Sequence, residues 1–231
     1  MSETILKYIE KDPISFIHVR DLLDRNHSII YESDNGFIVR DDDVDFIYMS
    51  FNNKDVMIRE LSKKRYEHYI AYDKEIVDYY NDIDSVIVLT QFAFPSTDLF
   101  NINQDNIRVL STDYAPIIDG FYKAIGPNET SYNALKKGNV LGLFSNNELA
   151  GIIGRHPEGC IGMLHIFEGH RRKGYAEVLE KAMIDKLIKE KQRVFCEVVE
   201  GNEISMHLQA KLGFIEGKKK IYWLVWQKKK Y

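Results

Sequence analysis

Cysteine is scarce in this sequence. Its two cysteines, Cys160 and Cys196, make neither a disulfide framework nor the spacing of a metal site. Each lies in an apolar, strand-like run, where a buried reduced thiol is the ordinary state, and a cytoplasmic location is the corresponding expectation. Long apolar runs are missing too. None approaches the roughly 20 residues needed to cross a bilayer, so no membrane partner is expected. The first residues, MSETILKYIEKD, carry acids early and no apolar core, unlike a secretory leader. There is no excess of positive charge, and a net charge of −4 argues against general nucleic-acid binding. Asp41, Asp42, Asp43 and Asp45 lack the later Gly and Glu of a calcium loop, so they read as a hairpin tip and no metal is expected.

What is present suits a folded α/β chain. At 231 residues it has length for one large domain or two modest ones. The first 100 residues hold 11 Lys+Arg against 20 Asp+Glu, and the rest hold 20 against 15. A polar, turn-rich stretch (Pro95–Asp98, Asn101–Asn106) divides the two charge regimes, which sets expected domains of 1–104 and 105–231. In the first, residues 3–25 read as two helical pieces separated at Asp12-Pro13. Three strand-like runs follow, with Asp34-Asn35-Gly36 as a hairpin signal. Residues 55–81 show a helical pattern, expected as two helices whose tyrosines serve packing, and Ser85–Thr90 reads as a buried strand.

In the second domain Ile107–Ser111 reads as a strand, and Thr112 or Asp113 caps a helix to about Ala124. Gly126-Pro127-Asn128 breaks the chain before a helix over 130–137. Strands are expected at Val140–Phe144, Leu149–Ile153, Cys160–Phe167, Arg193–Val199 and Phe214–Trp226. Helices are expected over 174–191, with Val178, Leu179, Ala182, Met183 and Leu187 on one face, and over Asn202–Leu212.

The informative stretch joins the strand ending at Phe167 to the helix starting at Gly174. Arg171, Arg172 and Lys173 lie between them. A tight cationic strand-to-helix turn presents backbone N–H groups at the positive end of a helix dipole, a natural seat for a phosphate or diphosphate. Gly174 lets a ligand approach the backbone, and Ala176 stays small. Arg171-x-x-Gly174-x-Ala176 resembles the Arg/Gln-x-x-Gly-x-Gly/Ala signature of the GNAT superfamily of acyl-CoA-dependent N-acetyltransferases. Downstream, Asn202-Glu-Ile-Ser205-Met-His-Leu208-Gln-Ala-Lys-Leu-Gly213-Phe214 resembles that superfamily's Asn-x-x-Ala/Ser-x-x-Leu-Tyr-x-Lys-x-Gly-Phe segment. The two stand in the expected order and spacing, and the resemblance covers residues 106–231.

The resemblance implies an α/β (α+β) fold with a mixed, largely antiparallel central sheet flanked by helices. The strand, hairpin, helix and strand order of the first half is compatible with a degenerate GNAT-like unit that has lost its phosphate loop. The glycine N-acyltransferase-like branch is built comparably, and architecture rather than matched residues places the chain there. Acetyl-CoA would be the acyl donor. The backbone at Leu164, His165 and Ile166 would run beside pantetheine, with the His165 side chain on the opposite face. Arg171, Arg172, Lys173, Gly174, Tyr175 and Ala176 would hold the diphosphate, and Asn202 and Ser205 would contact the cofactor from the following helix. Asn202 serves equally as a helix N-cap.

Acyl transfer to an amine needs a base, an oxyanion donor and, for the thiolate, an acid. Glu197 matches a fifth-strand glutamate that is the base in some members, and a solvent-facing structural glutamate is the alternative. Gln209 stands where the family has a tyrosine acid. It can donate a hydrogen bond but delivers no proton at neutral pH. Cys160 stands where other members carry a base, and an acyl-cysteine route there would need an activated thiol. The resulting expectation is an N-acetyltransferase acting on a primary amine of a small or amino-acid-like acceptor by direct attack, as a monomer or homodimer. The alternatives are a non-catalytic CoA-binding or interaction module and a protein N-terminal or lysine acetyltransferase.

Overall fold

A computed structural model describes residues 2–122 and 131–225. The first half runs through α1 (Glu3–Ile9), α2 (Ile17–Leu22), β1 (His27–Ser33), β2 (Gly36–Asp41), β3 (Phe46–Phe51), α3 (Lys54–Leu61), β4 (His68–Ala71), α4 (Lys74–Tyr79) and β5 (Ser85–Ala93). The second continues with β6 (Ile107–Val109), α5 (Ala115–Asp119), α6 (Ser131–Lys136), β7 (Val140–Ser145), β8 (Glu148–Arg155), β9 (Ile161–Ile166), α7 (Tyr175–Lys189), β10 (Phe195–Val199), α8 (Glu203–Leu212) and β11 (Ile215–Val225). Short 3-10 turns occupy Thr112–Tyr114 and Glu168–His170. The element order repeats: a three-stranded antiparallel meander, a helix, a strand, a helix and a strand occur once from β1 to β5 and again from β7 to β11.

The chain divides into two compact units, but not at residue 104. One holds residues 1–93, 197–206 and 215 onward, and the other holds 94–196 and 207–214. The reason is the last strand. In β11, Trp223 is in antiparallel register with Ile70 of β4 on one side and with Ile87 of β5 on the other. The first unit's sheet therefore runs β1-β2-β3-β4-β11-β5. Its β3 and β4 are parallel and joined through α3, the crossover that parallel pairing requires. Phe37, Val39, Tyr48, Ile70 and Ile221 are buried in one of its cores, and Ile47, Met49, Tyr69, Ala71 and Leu224 in another. The hairpin at Asp34-Asn35 forms as expected, with Ser33 opposite Gly36.

Between residues 55 and 81 the structure differs from the expected helix pair, because β4 stands between α3 and α4. Its consecutive residues Tyr69, Ile70 and Ala71 are all buried, so the strand is covered on both faces and shows no alternation. The tyrosines pack, with Tyr69 stacked on Tyr80 at 5.3 Å and edge-on to Tyr66 at 5.8 Å. In the second unit the meander orders as β6-β7-β8-β9. The helix expected from residue 112 is a 3-10 turn followed by α5, which ends at Asp119. Its expected last residues, the break at Gly126–Asn128 and Trp226 lie outside the described residues. No helix among the described residues is long and apolar enough to cross a membrane.

Ile221 is fully buried in the first unit although it lies ten residues from the end of the chain. Ile221→Ala should cost about 2–5 kcal/mol, the usual range for such a core truncation. Urea unfolding followed through Trp223 fluorescence checks it, and a loss below about 1 kcal/mol would contradict this packing.

Candidate functional site

Strand β9 carries the first element of the site. Gly162 faces Gly154 of β8 and His165 faces Ile152, so Met163 and Leu164 stand opposite the single residue Ile153. Met163 takes a left-handed φ of 53° within this bulge. On the other edge, Ile161 pairs in parallel with Cys196, the one register pair between β9 and β10 among the described residues. Past Ile161 that edge has no ladder partner there, which leaves main-chain groups near Leu164, His165 and Ile166 for an extended ligand. The His165 ring stacks on Phe121 at 4.0 Å, and burial followed by the Arg171 charge lowers its pKa.

The next element is the turn into α7. Arg172 (φ 64°) and Gly174 (φ 79°) both lie in the left-handed region, on either side of Lys173. Arg171 Nε donates to Ile166 O at 3.1 Å and Lys173 Nζ to Gly169 O at 3.2 Å, so both side chains brace the turn. Gly174 is the N-cap of α7, and no side chain caps the helix. The helix's own bonding starts with Val178 N donating to Gly174 O at 3.2 Å. Among the described residues, the amides of Arg172 through Glu177 have no acceptor. They point outward at the positive end of a 15-residue helix. A Cβ on Gly174 would touch nothing, so glycine serves the left-handed φ there and the approach stays open. By contrast, Asn53 caps α3 by accepting from Val56 N at 3.0 Å. Glu177, the one acid in the first turn of α7, is held by Lys181 at 2.8 Å and Lys211 at 2.6 Å, which pull its pKa down to about 2.

The downstream residues are placed less simply. Asn202 accepts from Ser205 N at 3.2 Å, the bond of a helix N-cap. Gln209 is buried, 3% exposed, and hydrogen-bonds the equally buried Glu180 of α7. Burial pushes the Glu180 carboxyl up to about 7, against the pull of that bond. Glu180 Oε2 and Gln209 Oε1 are both buried without a donor among the described residues. A proton on Glu180 Oε2 supplies the missing donor and closes an acid–amide pair. Glu197 was expected either as an open base or as a solvent-facing residue. Its side chain is instead 3% exposed. It accepts from His18 Nδ1 at 2.6 Å and Trp223 Nε1 at 3.1 Å, and His18 Nε2 meets the Tyr48 hydroxyl at 2.7 Å. Both carboxylate oxygens are engaged, as in a structural anchor.

Cys160 is buried, and its thiol donates to Glu158 Oε1 at 3.6 Å. A carboxylate in that position stabilises the protonated thiol, which weighs against an acyl-cysteine route. Glu158 Oε1 also lies 3.9 Å from His156 Nδ1, which meets the Tyr122 hydroxyl at 3.2 Å. Sequence reading missed His156, Glu158 and Glu180. The alternation His156-x-Glu158-x-Cys160 before β9 was a signal for two of them, and an acid inside the apolar stripe of α7 for the third.

A bulged strand with an open edge, a turn whose amides have no acceptor among the described residues and a helix on their axis follow one another along the chain. The family model of FR47-like proteins matches residues 140–224. The chain has the GNAT fold. A putative GNAT-family acetyltransferase from Novosphingobium aromaticivorans superposes with TM-score 0.56 at 14% identity, over 92% of this chain and 95% of that one. A GNAT-family acetyltransferase from Colwellia psychrerythraea gives 0.54 at 12% identity, over 97% and 96%. A Drosophila protein gives 0.63 at 15% identity, over 82% and 74%. Among curated proteins, no relative matches. Gln209, which the sequence resemblance set against a tyrosine, lies beside the Glu180 carboxyl of α7.

The buried Glu180 gives a pH signature. Burial holds its folded pKa at about 7, above the 4.5 of an unperturbed glutamate. The stability of the neutral form is therefore complete below the unfolded pKa and is lost as pH rises through about 7. Glu180→Gln keeps an amide pair without the charge. It should match wild type near pH 4.5 and exceed it by on the order of 3 kcal/mol at pH 8. Urea unfolding at the two pH values checks this, and a difference that does not change with pH would contradict it.

Proposed function

We propose that this protein is an N-acetyltransferase that moves an acetyl or other acyl group from acyl-CoA to a primary amine of a small or amino-acid-like acceptor. The observation that carries the reading is the row of amides from Arg172 to Glu177 with no acceptor, at the head of α7 and directly after the open edge of β9. A diphosphate satisfies those amides, with the charges of Arg171, Arg172 and Lys173 around it. Pantetheine then pairs along Leu164 to Ile166 like an added strand. The acceptor nitrogen attacks the thioester carbon directly in a ternary complex. A cytoplasmic setting belongs to the same proposal.

The burial of Gln209 and the engagement of both oxygens of Glu197 favour a second reading, a module that binds CoA without turnover. Thiol release from acetyl-CoA across a panel of primary amines separates the two, because only an enzyme releases thiol in proportion to the acceptor.

Calorimetric titration tests the shared element. Wild type should bind CoA with micromolar affinity. Gly174→Asp, which brings a negative charge to the turn, should weaken binding at least about 100-fold, or roughly 3 kcal/mol. A folded wild type that does not bind CoA would reject both readings.

A further inference from the structure

The first unit has a cavity of its own. Its lining begins where the parallel strands β3 and β4 end, just past the bond from Tyr72 N to Met49 O at 3.1 Å. Every residue that lines it belongs to the first unit. The volume is about 410 Å³, the size of a small-molecule site. Crevices outside the carboxyl ends of parallel strands are where open α/β sheets hold ligands. In the repeated element order, β3-α3-β4 corresponds to β9-α7-β10.

The lining is charged, and the charges balance. Asp73 and Glu75 supply two acids, and Lys54 and Lys219 supply two bases. One of each is engaged within the protein. The buried Asp73 carboxylate accepts from Ser50 Oγ at 2.7 Å, from Phe51 N at 2.8 Å and from Lys219 Nζ. That network fixes one wall. Lys54 and Glu75 are exposed in the first turns of α3 and α4, and among the described residues neither side chain has a hydrogen bond or an ion pair. Asn53 Oδ1 accepts from Val56 N, and Asn52 Nδ2 donates to Asp34 O. Asn53 Nδ2 and Asn52 Oδ1 are left for a guest. The buried Phe51 and Met57 supply the apolar part of the lining.

These groups select by charge. A lone anion would meet two carboxylates here, and a lone cation would meet two ammonium groups. A guest with one charge of each sign finds a complement for both. We propose that this cavity binds a zwitterionic α-amino acid with an apolar side chain. Its carboxylate pairs with Lys54, its ammonium group with Glu75, and its side chain lies on Phe51 and Met57. The site is separate from the turn before α7, and the proposal does not rest on the acyl-CoA reading.

Calorimetric titration of the full chain with L-leucine, L-methionine and L-phenylalanine tests it. At least one should bind with a Kd below about 1 mM. Removing either charge from the guest should weaken binding at least about 10-fold; for leucine the analogues are 4-methylpentanoate and 3-methylbutylamine. Lys54→Ala and Glu75→Ala remove the two partners from exposed positions, and each should weaken binding at least about 10-fold. Three results would overturn the proposal. One is a folded wild type that binds none of the three amino acids. Another is an analogue of single charge that binds as tightly as its parent. The third is binding that either substitution leaves unchanged, since the amino acid would then sit elsewhere.

Discussion

The site depends on one local departure from regular strand geometry. Met163 adopts a left-handed φ, and two residues of β9 face one of β8. For a side-chain-bearing residue this conformation is unfavourable, and it persists because the surrounding sheet holds it. The bulge bends the strand, and β9 has no ladder partner on its outer edge beyond Ile161 among the described residues. It also fixes the direction in which the chain enters the turn at Glu168–His170 and, through it, where α7 begins. An unpaired strand edge is ordinarily a liability, as are unpaired amides. Here both occur in sequence on one continuous path. A ligand with amides in its middle and phosphates at its end satisfies both.

Much of this path was legible in the residues. Arg171 through Ala176 combine cationic side chains, one glycine and a small residue at a strand-to-helix junction, and there the structure puts two left-handed residues and, among the described residues, five amides without an acceptor. The second-half elements fall close to their expected places because apolar periodicity and turn residues agree along that stretch. What sequence could not show depends on partners distant in the chain. Strand β4 was hidden because burial on both faces erases alternation. Glu197 alternates with apolar neighbours and so resembles an outward residue. Its strand's other face meets His18 and Trp223, 179 and 26 residues away, and no local pattern reports that. The register of Met163 was unreadable for the same reason, since a bulge is a relation between two strands.

The two helix starts that follow parallel-pairing strands differ in one group. At α3 the Asn53 side chain accepts from one first-turn amide, that of Val56, whereas at α7 Gly174 has no side chain to do so. The same element order therefore yields a side-chain-capped terminus in the first half and an uncapped one in the second. This difference, rather than overall charge, separates the two halves as candidates for an anion. The acidic balance of the first 100 residues is consistent with it.

Strand β11 has a consequence for how the chain is made. The first unit's sheet has its fifth position filled by residues 215–225. During synthesis the first 93 residues emerge long before that strand exists. Until then β4 and β5 cannot take the neighbour that each has in the finished sheet, and each presents an open edge that another chain could pair with. A message cut short, or a protease that removes β11, would leave the unit begun first along this sequence as the part that cannot finish folding.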